Sequence, residues 1–123
     1  MDIFRFRKLV VYQHARDYVK TIYSILDSFP QKENFALSAQ IRRAAVSVPS
    51  NIAEASGRYS QKEQIHFIEF AYGSLMETIC QMELAQDLGY IKEEMSEVEE
   101  KATDISKMLS GWRRTLLINL NNK

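Results

Sequence analysis

An all-α fold, an antiparallel up-down-up-down bundle of four helices, is what this sequence predicts, and three observations carry that reading. Apolar residues recur at steps of three and four in four separate stretches, the spacing that lines one face of a helix. The 123 residues include only 2 Pro and 4 Gly, so long helices and short connections are favoured. No strand pattern competes, because the Phe4-Arg5-Phe6 alternation is too short to count. The length fits a single domain over residues 1–123, with enough chain to bury a real core.

Residues 1–7 read as an extended arm whose Phe4 and Phe6 pack on the protomer or on a neighbour. Helix one is expected from about Lys8 to Ser28, with Leu9, Tyr12, Ala15, Val19, Ile22, Leu26 and Phe29 as its buried stripe. Pro30 stops it, and a polar loop follows. Helix two is expected over residues 37–56, with Ser38 as a cap and Gly57 as its end. Ser60-Gln61-Lys62-Glu63 has the spacing of a capping box and opens helix three. Ile65, Ile68, Tyr72, Leu75, Ile79 and Met82 mark that helix's stripe, and Gly73 within it suggests a closely packed facing side chain. Gly89 ends the helix. Helix four, over about residues 92–117, carries Met95, Val98, Ala102, Ile105, Leu109, Trp112 and Leu116 at heptad spacing. Residues 119–123 are expected to fray.

The stretch from Gln40 to Arg58 is the most informative. Ile41, Ala44, Ala45, Val48, Ile52 and Ala55 share a face, and the small residues among them let another helix come close. Pro49 interrupts this pattern: it cannot donate to the Ala45 carbonyl, and its ring crowds that group. The expectation is a helix two kinked near Pro49, with Ser47, Ser50 or Asn51 helping to satisfy the disturbed backbone. A helix boundary at Pro49, with a second short helix starting there, is the alternative. Arg43 is expected at the edge of the apolar face, with Arg42 nearer to solvent. Their forks suit phosphate or carboxylate partners, and a solvated face or an inter-subunit ion pair is the plainer reading.

The formal net charge is zero, which excludes a bulk polycation effect. Its distribution is uneven. Residues 1–61 hold nine Lys/Arg against five Asp/Glu, and residues 62–123 hold seven against eleven. Such asymmetry permits a basic face and an acidic face, or charge complementarity between copies. Cys80, the single cysteine, allows no intrachain disulfide and reads as a small core hydrophobe in a reducing, cytoplasmic compartment. No segment has the apolar length of a signal core or of a membrane span. Glu63 and His66 have the Glu-x-x-His spacing of di-iron bundles, but no second such pair is present, so Glu63 is assigned to the capping box and no metal is expected. Nothing beside Cys80 would lower its pKa, and there is no phosphate-binding glycine loop. Neither an enzyme nor a cofactor is expected.

The run Gln40-Ile41-Arg42-Arg43-Ala44-Ala45-Val46-Ser47-Val48-Pro49-Ser50-Asn51-Ile52-Ala53-Glu54 closely resembles the signature of the four-helix bundle proteins encoded within bacterial 23S rRNA intervening sequences. Leu9 to Ala15, Phe67 to Leu75 and Leu84 to Ile91 resemble further stretches of that family, in the right order. Tyr12 stands where the family often has Trp, Ala55 where Gly often follows, and Lys92 where helix four usually has a small hydroxyl cap. The resemblance implies a ring-shaped homo-oligomer, a pentamer, and kinship with retroelement accessory proteins that bind nucleic acid through basic surfaces. Carried onto this chain, it points to Arg42, Arg43 and Arg58 as nucleic-acid-binding candidates. Two functions follow as expectations: an oligomeric accessory protein that binds RNA or DNA, or a protein-interaction scaffold in which the charge asymmetry serves subunit contacts.

Overall fold

The computed structural model describes residues 2–122. It contains four α-helices: α1 (Val10–Leu26), α2 (Leu37–Gly57), α3 (Gln61–Asp87) and α4 (Ser96–Asn121). Among the described residues there is no strand. Short 3-10 turns at Arg5–Lys8 and Gln31–Glu33 precede α1 and α2, so the arm is wound where an extended segment was expected. Each helix packs on two others: α1 and α3 both contact α2 and α4. The result is a four-helix bundle with one continuous core.

The buried residues follow the apolar spacing with a shift of phase in two helices. In α1 the inward face is Val11, Ala15, Tyr18, Ile22 and Leu26, while Tyr12 and Val19 are only half-buried. In α3 the inward line is Ile65, Ile68, Ala71, Leu75, Thr78, Met82 and Ala85. Tyr72, expected in the core, is exposed, and Ile79 is half-buried. Cys80, expected to be a core hydrophobe, is exposed. Two residues past Thr78 lie about 200° round the helix, so a chain that buries Thr78 must turn Cys80 outward. Gly73 is likewise exposed, with nothing within 4 Å of an added Cβ, so it accommodates no side chain of this protomer.

Thr78 is buried because it has a partner across the bundle. The Tyr18 hydroxyl lies 2.6 Å from Thr78 Oγ1, and Thr78 itself donates to the Leu75 carbonyl at 2.7 Å. With the threonine proton committed, Tyr18 is the donor to Thr78. This bond spans the diagonal from α1 to α3, two helices whose backbones are not in contact. Burial pushes the Tyr18 phenol up to about 12, against the opposing effect of the Thr78 hydrogen bond, so it stays protonated.

α2 runs without a break from Leu37 to Gly57 with Pro49 inside it, which removes the alternative of two short helices. Two of the polar neighbours named above brace this turn. The Asn51 side-chain amide donates to the Ser47 carbonyl and to Ser47 Oγ, both at 2.8 Å. Ser47 Oγ in turn meets Ser74 Oγ of α3 at 2.8 Å. Ser38 does not cap α2. The helix begins after Ala36, and Ser38 is fully buried with its hydroxyl unpartnered.

Ser60 does cap α3, accepting from the Glu63 N–H at 3.2 Å. The far end of α3 closes as a Schellman turn: Tyr90 N–H reaches the Ala85 carbonyl at 2.9 Å and Gly89 N–H the Gln86 carbonyl at 3.0 Å. Gly89 has φ +80°, the one positive value among the described residues. α4 starts at Ser96, four residues later than expected, so Lys92 is not its cap; Ile91 and Met95 are buried on the approach.

Stability should respond at three places. Thr78→Val leaves the Tyr18 hydroxyl buried without an acceptor and costs about 1–3 kcal/mol in urea unfolding. Tyr18→Phe removes the donor as well and costs less, so the double variant should recover part of the Thr78→Val loss. Gly89→Ala forces a Cβ into the left-handed region and lowers stability by about 1–2 kcal/mol. Gly111→Ala, in an exposed and open position within α4, raises it by up to about 1 kcal/mol.

Candidate nucleic-acid interface

The three arginines singled out from the sequence lie on different sides of α2. Arg42 is half-buried on the α1 side, with its guanidinium 5.8 Å from the Tyr23 ring centre. Arg43 is exposed on the α3 side, lining a hollow with Gln40, Ala44, Ser47, Ser74 and Glu77. The exposures are thus the reverse of those expected, because consecutive helical residues diverge by about 100° and Arg42 turns toward α1. Arg58 caps the C-terminal end of α2. Its guanidinium is bonded to Glu54 at 2.8 Å and lies 4.6 Å from the Phe67 ring centre. The fold therefore does not gather the three into one site.

It gathers a different set. Between α1 and α2 runs a groove of about 450 Å³ lined by Phe6, Tyr12, Arg16, Val19, Lys20, Val46, Pro49, Ser50 and Ala53. Its two charges are both positive, and no carboxylate lines it. Arg16 and Lys20 are exposed, and neither is ion-paired among the described residues. The groove exists because α2 presents small or ring-closed residues here, and because the turn at Arg5–Lys8 lays Phe6 edge-on against Tyr12 at 4.9 Å. Arg42, four residues before Val46, extends the positive rim by one helical turn. At the other end a second hollow shares Phe6, Ser50 and Ala53 and reaches Arg58.

Asp17 lies between Arg16 and Lys20 in sequence, yet its carboxylate is held on the opposite side. Lys101 of α4 pairs with it at 2.8 Å, and also meets Glu97 at 3.2 Å and Thr21 Oγ1 at 2.8 Å. The Lys101 hydrogen bond holds the Asp17 carboxyl below its usual 3.8 despite some desolvation. The same contact raises Lys101 above 10.5. Both groups are solvent-accessible, so the pair matters more for where Asp17 points than for global stability.

Other hollows lack this character. The cleft between α3 and α4 is lined by Ile68, Tyr72, Leu109 and Ser110 together with Arg113 and Glu69, which are bonded at 2.8 Å, so its cation is already matched. The His66 ring packs on Phe70 at 4.3 Å. Among the described residues no group of three or more His, Cys, Asp and Glu is placed to hold a metal ion. No helix there is long and apolar enough to cross a membrane.

Arg16 and Lys20 were not singled out from the sequence, although a signal was present. Tyr12, Arg16, Lys20 and Tyr23 recur at steps of four, four and three, a stripe of two basic residues flanked by aromatic ones on one helical face.

Residues 7–111 match the family described as 23S rRNA-intervening sequence protein. The chain belongs to that family. The match begins just ahead of α1 and ends within α4, so all three arginines and every groove residue except Phe6 lie inside it. None of the curated proteins compared with the chain matches it.

The Asp17–Lys101 contact has a measurable signature. The folded Asp17 should titrate below 3.8, and Lys101→Met should return it toward that value in an NMR pH titration. By linkage, the Asp17 contribution to stability is present above 3.8 and lost as pH falls through the lower folded value. The Lys101 contribution is present below 10.5 and lost as pH rises through its raised value.

Proposed function

We propose that this member of the 23S rRNA-intervening sequence protein family is a non-enzymatic, cytoplasmic, ring-forming homo-oligomer, a pentamer, that binds nucleic acid associated with rRNA. Its four helices run up-down-up-down, with α2 bent at Pro49. Short connections at residues 58–60 and 88–95 between helices in contact support that arrangement. The observation that carries the binding reading is the α1–α2 groove: unpaired Arg16 and Lys20 beside Tyr12 and Phe6, and no lining carboxylate. Arginine forks and lysine ammonium groups neutralise backbone phosphates, and aromatic faces beside them suit unstacked bases. A protomer of zero net charge binds weakly through one such groove, and a ring repeats the groove around its circumference. Arg42, Arg43 and Arg58 remain members of the basic surface, with Arg58 already neutralised by Glu54.

Exposed apolar residues on α3 favour a second reading, a scaffold that contacts only protein. One experiment separates the two. The purified protein is titrated with a structured 23S rRNA fragment across a salt series, beside an Arg16→Glu/Lys20→Glu variant of unchanged oligomer mass. Affinity should fall steeply with salt. The variant should lose at least about tenfold in affinity, and its slope of log K against log salt should shrink by about 1.4–1.8, the share of two phosphate contacts. Arg43→Glu, on the far side of α2, should matter less. Absence of binding at low salt would leave the scaffold reading.

A further inference from the structure

α3 is apolar on more than one side. Its inward line fills the core, and outward it carries Phe70, Met76 and Leu84, followed by Leu88, each between 42% and 59% exposed. Gly73 and Cys80 are exposed on the same helix, with open space around Gly73. No Lys or Arg occurs between Lys62 and Lys92, whereas Glu77, Glu83 and Asp87 are exposed there. The outer surface of α3 is therefore apolar and acidic, with each of these apolar side chains about half exposed.

A second surface has the opposite charge. At the start of the chain Ile3, Phe4 and Val10 are 75%, 45% and 57% exposed. Arg5, Arg7 and Lys8 stand among them, with one weak acidic partner, Asp2, 3.9 Å from Arg7. This segment packs on α1 and α2 and does not contact α3. It is apolar and basic.

Neither surface complements itself. Two α3 faces brought together would oppose glutamate to glutamate, and two N-terminal segments would oppose arginine to arginine. Each complements the other in charge, and both bring exposed apolar side chains whose burial drives association. A contact between two different surfaces of identical chains is heterologous, and it closes into a ring when the rotation allows. We infer that the outer face of α3 of one copy receives the Ile3–Val10 segment of the next. The inference rests on the ring-forming reading above and names the surfaces that make the ring.

The test is the mass of the nucleic-acid-free protein by light scattering, with helical content checked by circular dichroism. Glu83→Arg/Asp87→Arg should shift the oligomer to monomer, and so should Arg5→Glu/Arg7→Glu. An equimolar mixture of the two variants offers two matched interfaces, one native and one with both charges reversed, so it should assemble into oligomers of alternating subunits where neither variant does so alone. The chain carrying all four substitutions restores every contact and should reassemble. In a separate arm, Phe4→Cys under mild oxidation should form a ladder of covalent oligomers through native Cys80 of the neighbour. Cys80→Ser added to Phe4→Cys should abolish the ladder, and Phe35→Cys, at a fully exposed site outside both surfaces, should not form one. A wild-type protein that is monomeric at micromolar concentration overturns both the ring and this inference. An oligomer untouched by either charge reversal overturns this inference and leaves the ring standing. A Cys80-to-Cys80 disulfide in the wild-type oligomer places two α3 faces together and also overturns it.

Discussion

The close approach of α2 to α3 is the constraint on which the rest of the bundle depends. These two helices make the most extensive contact in the molecule. Small residues accompany this contact: Ala44 and Ser47 on α2 and Ser74 on α3 line one hollow, the two serines are bonded at 2.8 Å, and Ala45 and Ala71 are fully buried. The hydroxyls satisfy each other across the seam, at the edge of the hollow that Arg43 and Glu77 also line. Asn51 extends the same network back onto the Ser47 carbonyl, in the turn that Pro49 disturbs. A proline inside a helix deprives a carbonyl of its donor and crowds it. Here the damage falls where side-chain amide and hydroxyl groups brace the backbone and neighbouring helices hold the segment in place.

The position of Pro49 also shapes the opposite side of α2. Val46, Pro49, Ser50 and Ala53 form a low wall, and α1 stands across from it with Tyr12, Arg16, Val19 and Lys20. One helix thus has a tight side toward α3 and an open side toward solvent. The open side is lined by two cations and no carboxylate, and Lys101 of α4 pairs with Asp17, whose sequence neighbour Arg16 lines the groove.

Charge is segregated along the chain and, through the fold, in space. The basic half supplies the turn before α1 and the α1–α2 groove. The acidic half supplies the outer surface of α3. With zero net charge, this protein has no long-range preference for polyanions, and any attraction is local to the groove. The same segregation allows copies to associate through unlike surfaces beside the groove, with Phe6 common to the N-terminal segment and the groove's edge.

Periodicity, two prolines, four glycines and a capping box were enough to place four helices in this chain, because helix formation is read from spacing within one segment. The Ser60 cap and the Gly89 turn were legible for the same reason: both are satisfied by atoms a few residues apart. The family was legible too, since its signature is a contiguous run. The phase of α1 and α3 was not. Burying Tyr18 and Thr78 in place of Tyr12 and Tyr72 depends on a hydrogen bond between residues sixty apart, and only the assembled bundle supplies it. The groove was legible only in part. The sequence displays Arg42 and Arg43 side by side, but a helix turns neighbours apart, and it is residues one turn apart, Arg16 and Lys20, that share a face. Whether a charge is free also depends on what stands opposite. Glu54 neutralises Arg58 and Lys101 diverts Asp17, one from an adjacent helical turn and the other from a distant helix. Local spacing therefore determined the elements, and tertiary packing decided which of their charges remain available to a partner.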